Sequence, residues 1–127
     1  MKKCLLLLVS LAAGISAYAE NAVFASKPAL SPDASEIYFS WSGDIFRVPS
    51  KGGLALRMIS MNGIESNPKV SPDGKYLAFS SNETGNNNVY VVPVAGGAVV
   101  QLTFHDASDV PVSWSPDSKR IYFDFHK

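Results

Sequence analysis

The sequence predicts an all-β fold of propeller blades, each a four-stranded antiparallel sheet, with about two and a half blades present. Three observations carry the prediction. Ser-Pro-Asp recurs as Ser31-Pro32-Asp33, Ser71-Pro72-Asp73 and Ser115-Pro116-Asp117, at spacings of 40 and 44 residues. Four positions after each Asp comes a short apolar segment: Ile37-Tyr38-Phe39, Leu77-Ala78-Phe79 and Ile121-Tyr122-Phe123. A second segment repeats as well, since Asp44-Ile45-Phe46-Arg47-Val48-Pro49 aligns with Asn88-Val89-Tyr90-Val91-Val92-Pro93, and Gly52-Gly53 then aligns with Gly96-Gly97. Short β-branched and aromatic runs separated by Pro and Gly read as strands and turns, and that placement of Pro and Gly excludes helical repeats of similar period.

Taken from the amino terminus, residues 1–19 read as a cleavable signal peptide. Lys2 and Lys3 make a basic start, Leu5 to Ala13 an apolar run, and Ala17-Tyr18-Ala19 the small residues of a cleavage site, with cleavage expected after Ala19. The run is too short for a permanent span of a roughly 30 Å hydrocarbon layer, and no second candidate follows. A periplasmic or secreted product is therefore expected. Lipidation is not, because Cys4 precedes the apolar run rather than following it. Cys4 is the one cysteine, so the mature chain has no disulfide, no thiolate zinc site and no cysteine nucleophile. Removing Lys2 and Lys3 from the eleven basic residues leaves nine against eleven acidic ones, without a basic cluster, which disfavours nucleic-acid binding.

Residues 20–127 make the partial propeller, with blades at 28–60, 67–104 and, incomplete, 111–127. In each Ser-Pro-Asp turn the Pro sets φ for the second position of a type I turn, Ser and Asp bond nearby backbone groups, and Gly74 suits the exit. A fourth strand is expected near Val99 to Phe104, with Leu56 to Ser60 as its counterpart. The four extra residues of the second period fall between Ser80 and Asn88, a longer hairpin loop where the first repeat has only Trp41-Ser42-Gly43. A blade packs against neighbours on both faces, so a segment that stops in mid-blade is expected to belong to a longer propeller or to self-associate.

These residues resemble the WD-like propeller repeat of TolB and of the amino-terminal propeller of tricorn-type proteases. The resemblance rests on Leu102-Thr103, Trp114-Ser115-Pro116-Asp117-Ser118-Lys119, Leu77-Ala78-Phe79-Ser80 and Val89-Tyr90-Val91, and covers nearly all of the mature chain. A blade that starts soon after the signal peptide, the short Trp41-Ser42-Gly43-Asp44 hairpin and the segment Gln101 to Asp106 are most similar to exported bacterial tricorn-like serine peptidases. The resemblance implies a non-catalytic gate or docking ring for protein or peptide, with the nucleophile in later domains. TolB-like proteins, envelope interaction modules with a separate domain before the propeller, are the alternative.

No catalytic, cofactor-binding or metal-ligating residue is assigned. His105, Asp106, Ser108 and Asp109 include the residue types of a hydrolytic triad, but four residues of one loop seldom make one; a polar inter-blade loop with Asp106 or Asp109 on turn amides is expected instead. The repeated Asp33, Asp73 and Asp117 each sit alone in a turn, short of the oxygens calcium needs. Asn86-Asn87-Asn88 reads as a solvated hairpin tip, Trp41, Trp114 and Tyr38 as blade packing, and Asn82-Glu83-Thr84 as an acceptor pattern of little weight in the bacterial chain that the resemblance implies.

Overall fold

The computed structural model describes residues 25–127; the expected signal peptide and its cleavage site lie outside the described residues. Strands β1 (Ser26–Leu30), β2 (Glu36–Trp41), β3 (Asp44–Pro49) and β4 (Leu56–Ile59) form one sheet in chain order. A second consists of β5 (Glu65–Val70), β6 (Tyr76–Ser81), β7 (Asn88–Pro93) and β8 (Val100–Gln101), and a third pairs β9 (Ser108–Trp114) with β10 (Ile121–His126). Every neighbouring pair is antiparallel. The architecture is an open propeller-like arc of blades. Among the described residues no helix is long and apolar enough to cross a membrane.

Each Ser-Pro-Asp segment closes the turn between the first two strands of its sheet by the same bonds. The Ser31, Ser71 and Ser115 amides donate to the carbonyls of Glu36, Tyr76 and Arg120, each at 2.9 Å. Their hydroxyls donate to the Asp carboxylates at 2.6–2.7 Å, and each carboxylate also accepts an amide two residues on. The Ser35 hydroxyl, then that of Ser31, holds the Asp33 carboxyl down at about 2. The residue after each Asp is left-handed: Ala34 at φ 60°, Gly74 at 73° and Ser118 at 61°. Only glycine takes that conformation without a Cβ penalty. Ala34→Gly is therefore expected to raise stability by up to about 1 kcal/mol, read as a rise of a few degrees in Tm.

The two-residue hairpin between β2 and β3 has Ser42 at φ 54° and Gly43 at 88°, the paired positive angles of a type I′ turn. In the second sheet six residues, 82–87, span the same gap, and the ladder is unaffected: Ser81 opposes Asn88 as Trp41 opposes Asp44. Alternation along the strands then gives each sheet two apolar faces. Buried Tyr38, Ile45 and Ile59 of the first sheet join Leu77, Phe79, Tyr90 and Val92 of the second in one core cluster. The opposite face of the second sheet carries buried Ala78, Ser80 and Val89.

The fourth strand of the second sheet is shorter than its sequence suggests, covering Val100–Gln101 rather than Val99 to Phe104. Leu102 still donates its amide to the Val89 carbonyl at 2.7 Å. Beyond it a side chain replaces the main chain. The Thr103 hydroxyl accepts the Val89 amide at 2.9 Å and donates to Asn88 Oδ1 at 3.2 Å.

Candidate functional site

The polar residues singled out in the sequence converge on the junctions between blades. At the second junction the β5, β6 and β7 strands meet β9, and the linker carrying residues 102–107 crosses between them. His105 Nδ1 lies 3.0 Å from Asp109 Oδ2. Asp109 is fully buried and His105 exposed, so a surface imidazole covers an interior carboxylate rather than a turn amide doing so. Asp109 Oδ1 has no partner. Ser108 is not directed to this pair: its hydroxyl accepts from Asn87 Nδ2 at 3.1 Å. Exposed Asp106 lines, with His105, Ala107, Phe123, Phe125 and Lys127, a cleft of about 550 Å³.

Asn86-Asn87-Asn88 is a clamp, not a free hairpin tip. Asn86 Nδ2 donates to the carbonyls of His105 and Ala107, at 2.7 and 2.5 Å. Asn87 gives its carbonyl to the Asp109 amide at 2.8 Å, while Asn88 is buried and bonds Thr84 and Thr103. Asn82, first residue of the acceptor pattern, holds the linker at the first junction, where its Oδ1 accepts the Ile64 amide at 2.7 Å. Trp114 donates Nε1 to the Lys69 carbonyl of the preceding blade at 2.8 Å. Tyr38 is buried, its hydroxyl on Glu36 Oε2 at 2.8 Å, and burial pushes its phenol up to about 12. Trp41 meets Phe46 edge to face, ring centres 5.4 Å apart. The three turn aspartates stay in their own turns, and among the described residues no three His, Cys, Asp or Glu side chains gather as a metal ion would need.

Glu65, which nothing local in the sequence marks, is a buried acid at the first junction. It stands six positions before Ser71, as Asp109 stands six before Ser115, and both side chains are completely buried. The backbone amides of both reach back to the preceding hairpin, Glu65 to the Gly43 carbonyl and Asp109 to that of Asn87, each at 2.8 Å. Both carboxylates are bonded by the residue four before them, the Met61 amide at 3.0 Å and the His105 ring. Glu65 has a second donor, Ser81 Oγ at 3.1 Å. The equivalent partner of Asp109 is Phe125, which cannot donate, and that explains the orphaned Oδ1. An alignment extended backward from Ser-Pro-Asp displays this pair.

Residues 22–127 match the family model of the tricorn protease N-terminal beta propeller domain. The chain belongs to that family. Tricorn protease homolog 1 of Streptomyces coelicolor is 32% identical over 89 residues, which are 69% of this chain and 8% of that protein. A TolB homolog of Chlorobaculum tepidum is 28% identical over 78 residues, 61% of this chain and 18% of that one. The structure of a TolB-like protein from Agrobacterium tumefaciens superposes with a TM-score of 0.73 at 25% identity, over 80% of this chain and 38% of that one. The chain thus spans less than a fifth of the two curated relatives' length. In the tricorn-type arc, Glu65 and Asp109 are the buried acids at successive blade junctions, and the asparagines hold the linkers that carry them.

Proposed function

We propose that this tricorn-type propeller segment binds or gates protein or peptide without breaking bonds, as the amino-terminal part of an exported serine peptidase. The observation that carries the reading is the commitment of the triad-like residues to structure. His105 is spent on a buried Asp109, and Ser108 on Asn87. A nucleophilic serine needs its base within hydrogen-bond reach, and Ser108 is engaged elsewhere. The basic start, apolar run and Ala17-Tyr18-Ala19 at the amino terminus support export to the periplasm or beyond.

Reading the genomic locus on both sides of the coding segment tests the parentage. Further Ser-Pro-Asp repeats, a PDZ-like module and a serine protease domain in one frame support the peptidase. A distinct domain ahead of the propeller and none after it would replace that reading with a TolB-like envelope interaction module, the alternative favoured by the 0.73 TM-score. The purified chain is expected to bind fluorescent unfolded peptide saturably without cleaving it. Cleavage lost on His105→Ala would instead place an active site in the linker.

A further inference from the structure

The first blade junction holds a buried acid with no cation beside it among the described residues. Glu65 accepts from one amide, that of Met61, and one hydroxyl, that of Ser81, and the same hydroxyl accepts the Glu83 amide at 3.3 Å. The Glu65 amide reaches across to the Gly43 carbonyl of the first sheet, and the linker before it is tied to the β6–β7 loop by the Ile64 amide on Asn82 and by Asn62 Nδ2 on Glu83 Oε1 at 3.5 Å. The charged groups acting on Glu65 are Asp44 of β3 and Glu83 beyond β6, both of its own sign. Arg57 of β4 sits 3.3 Å from Asp44 and is spent there. Half-buried Arg47 of β3 stands opposite Tyr38, toward the Ser-Pro-Asp end. Of the other strands packed on β5, β1 carries only exposed Lys27; β2 carries Glu36 and Tyr38, bonded to each other toward that same end; β6 carries Tyr76 there; and β9 carries Asp109, covered by His105.

We propose that Glu65 is a proton-operated latch between the first two blades, shut when the side chain is a neutral acid and loosened when it is a carboxylate. A buried ion without a counter-ion is costly, whereas a neutral acid in the same place keeps an acceptor for Met61 and can give its proton to Ser81 Oγ. Burial raises the Glu65 carboxyl above its ordinary value of 4.5, and Asp44 and Glu83 add to the shift. The folded junction therefore holds its proton to higher pH than the opened one. Its stability is full below 4.5, falls as pH rises from there toward the folded value, and is then level. At the second junction the same position carries Asp109 under an imidazole, so the device is particular to the first.

Amide hydrogen exchange of the whole chain tests the latch. Corrected for intrinsic exchange, protection of the Met61, Ile64 and Glu65 amides is expected to fall by up to about tenfold per pH unit through the titration. Glu65→Gln, which mimics the neutral acid, should make that protection independent of pH. A flat wild-type profile, or an unchanged slope in Glu65→Gln, overturns the proposal. Should that variant fail to fold, the carbon-13 titration of the Glu65 carboxyl in the wild type decides: a midpoint above 4.5 supports the latch and one at or below it removes it.

Discussion

Phe79→Ala is expected to lower the stability of this chain by about 3–5 kcal/mol. Phe79 is fully buried, and its ring stacks on that of Tyr90 with centres 5.7 Å apart. It belongs to the cluster that joins the first two sheets, so truncation opens a cavity at the interface the blades share. Domains of this size have total stabilities of about 5–15 kcal/mol, so the variant should be close to unfolding at room temperature. Urea unfolding followed by circular dichroism gives the number. Tyr76→Ala, on the same strand at an exposed position, is the control and should cost far less. A loss under about 1 kcal/mol for Phe79→Ala would mean that the two sheets do not pack face to face in solution.

Gly63→Ala is expected to cost about 1–3 kcal/mol by overpacking. A Cβ at residue 63 would stand 2.5 Å from the Glu83 amide nitrogen and 2.8 Å from both Asn82 Oδ1 and Ser81 Oγ. The nearest of these atoms is backbone and cannot swing aside, so the linker must lift from the β6–β7 loop. Because Asn82 holds Ile64, and Ser81 holds Glu65, the loss should concentrate at the first junction. Hydrogen exchange is expected to quicken at Ile64 and Glu65 while the Phe79 amide keeps its protection. Uniform loss across both sheets would show that the junction and the sheets open together.

What could be read from the amino-acid order was what short-range chemistry controls. Pro32, Pro72 and Pro116 set their turns locally, the aspartates bond amides two residues away, and Ser42-Gly43 closes a tight hairpin, so strands and blades were legible in sequence. The end of β8 was not, because Thr103 completes the ladder with a side chain instead of its backbone. Nor were the junctions. Glu65 bonds Ser81 sixteen residues on, Asn82 reaches back eighteen to Ile64, and Asn86 reaches forward to His105 and Ala107. In a sequence such residues look like solvated loop, since nothing local distinguishes an amide in water from one clamping a neighbouring strand.

The six residues between β6 and β7 carry a consequence for how such chains diversify. Their extra length lies wholly outside the ladder, yet Asn82 and Asn86 within them fasten two different linkers. A duplicated gene segment can therefore accept an insertion there and acquire a joint of its own while its sheet stays interchangeable with its siblings.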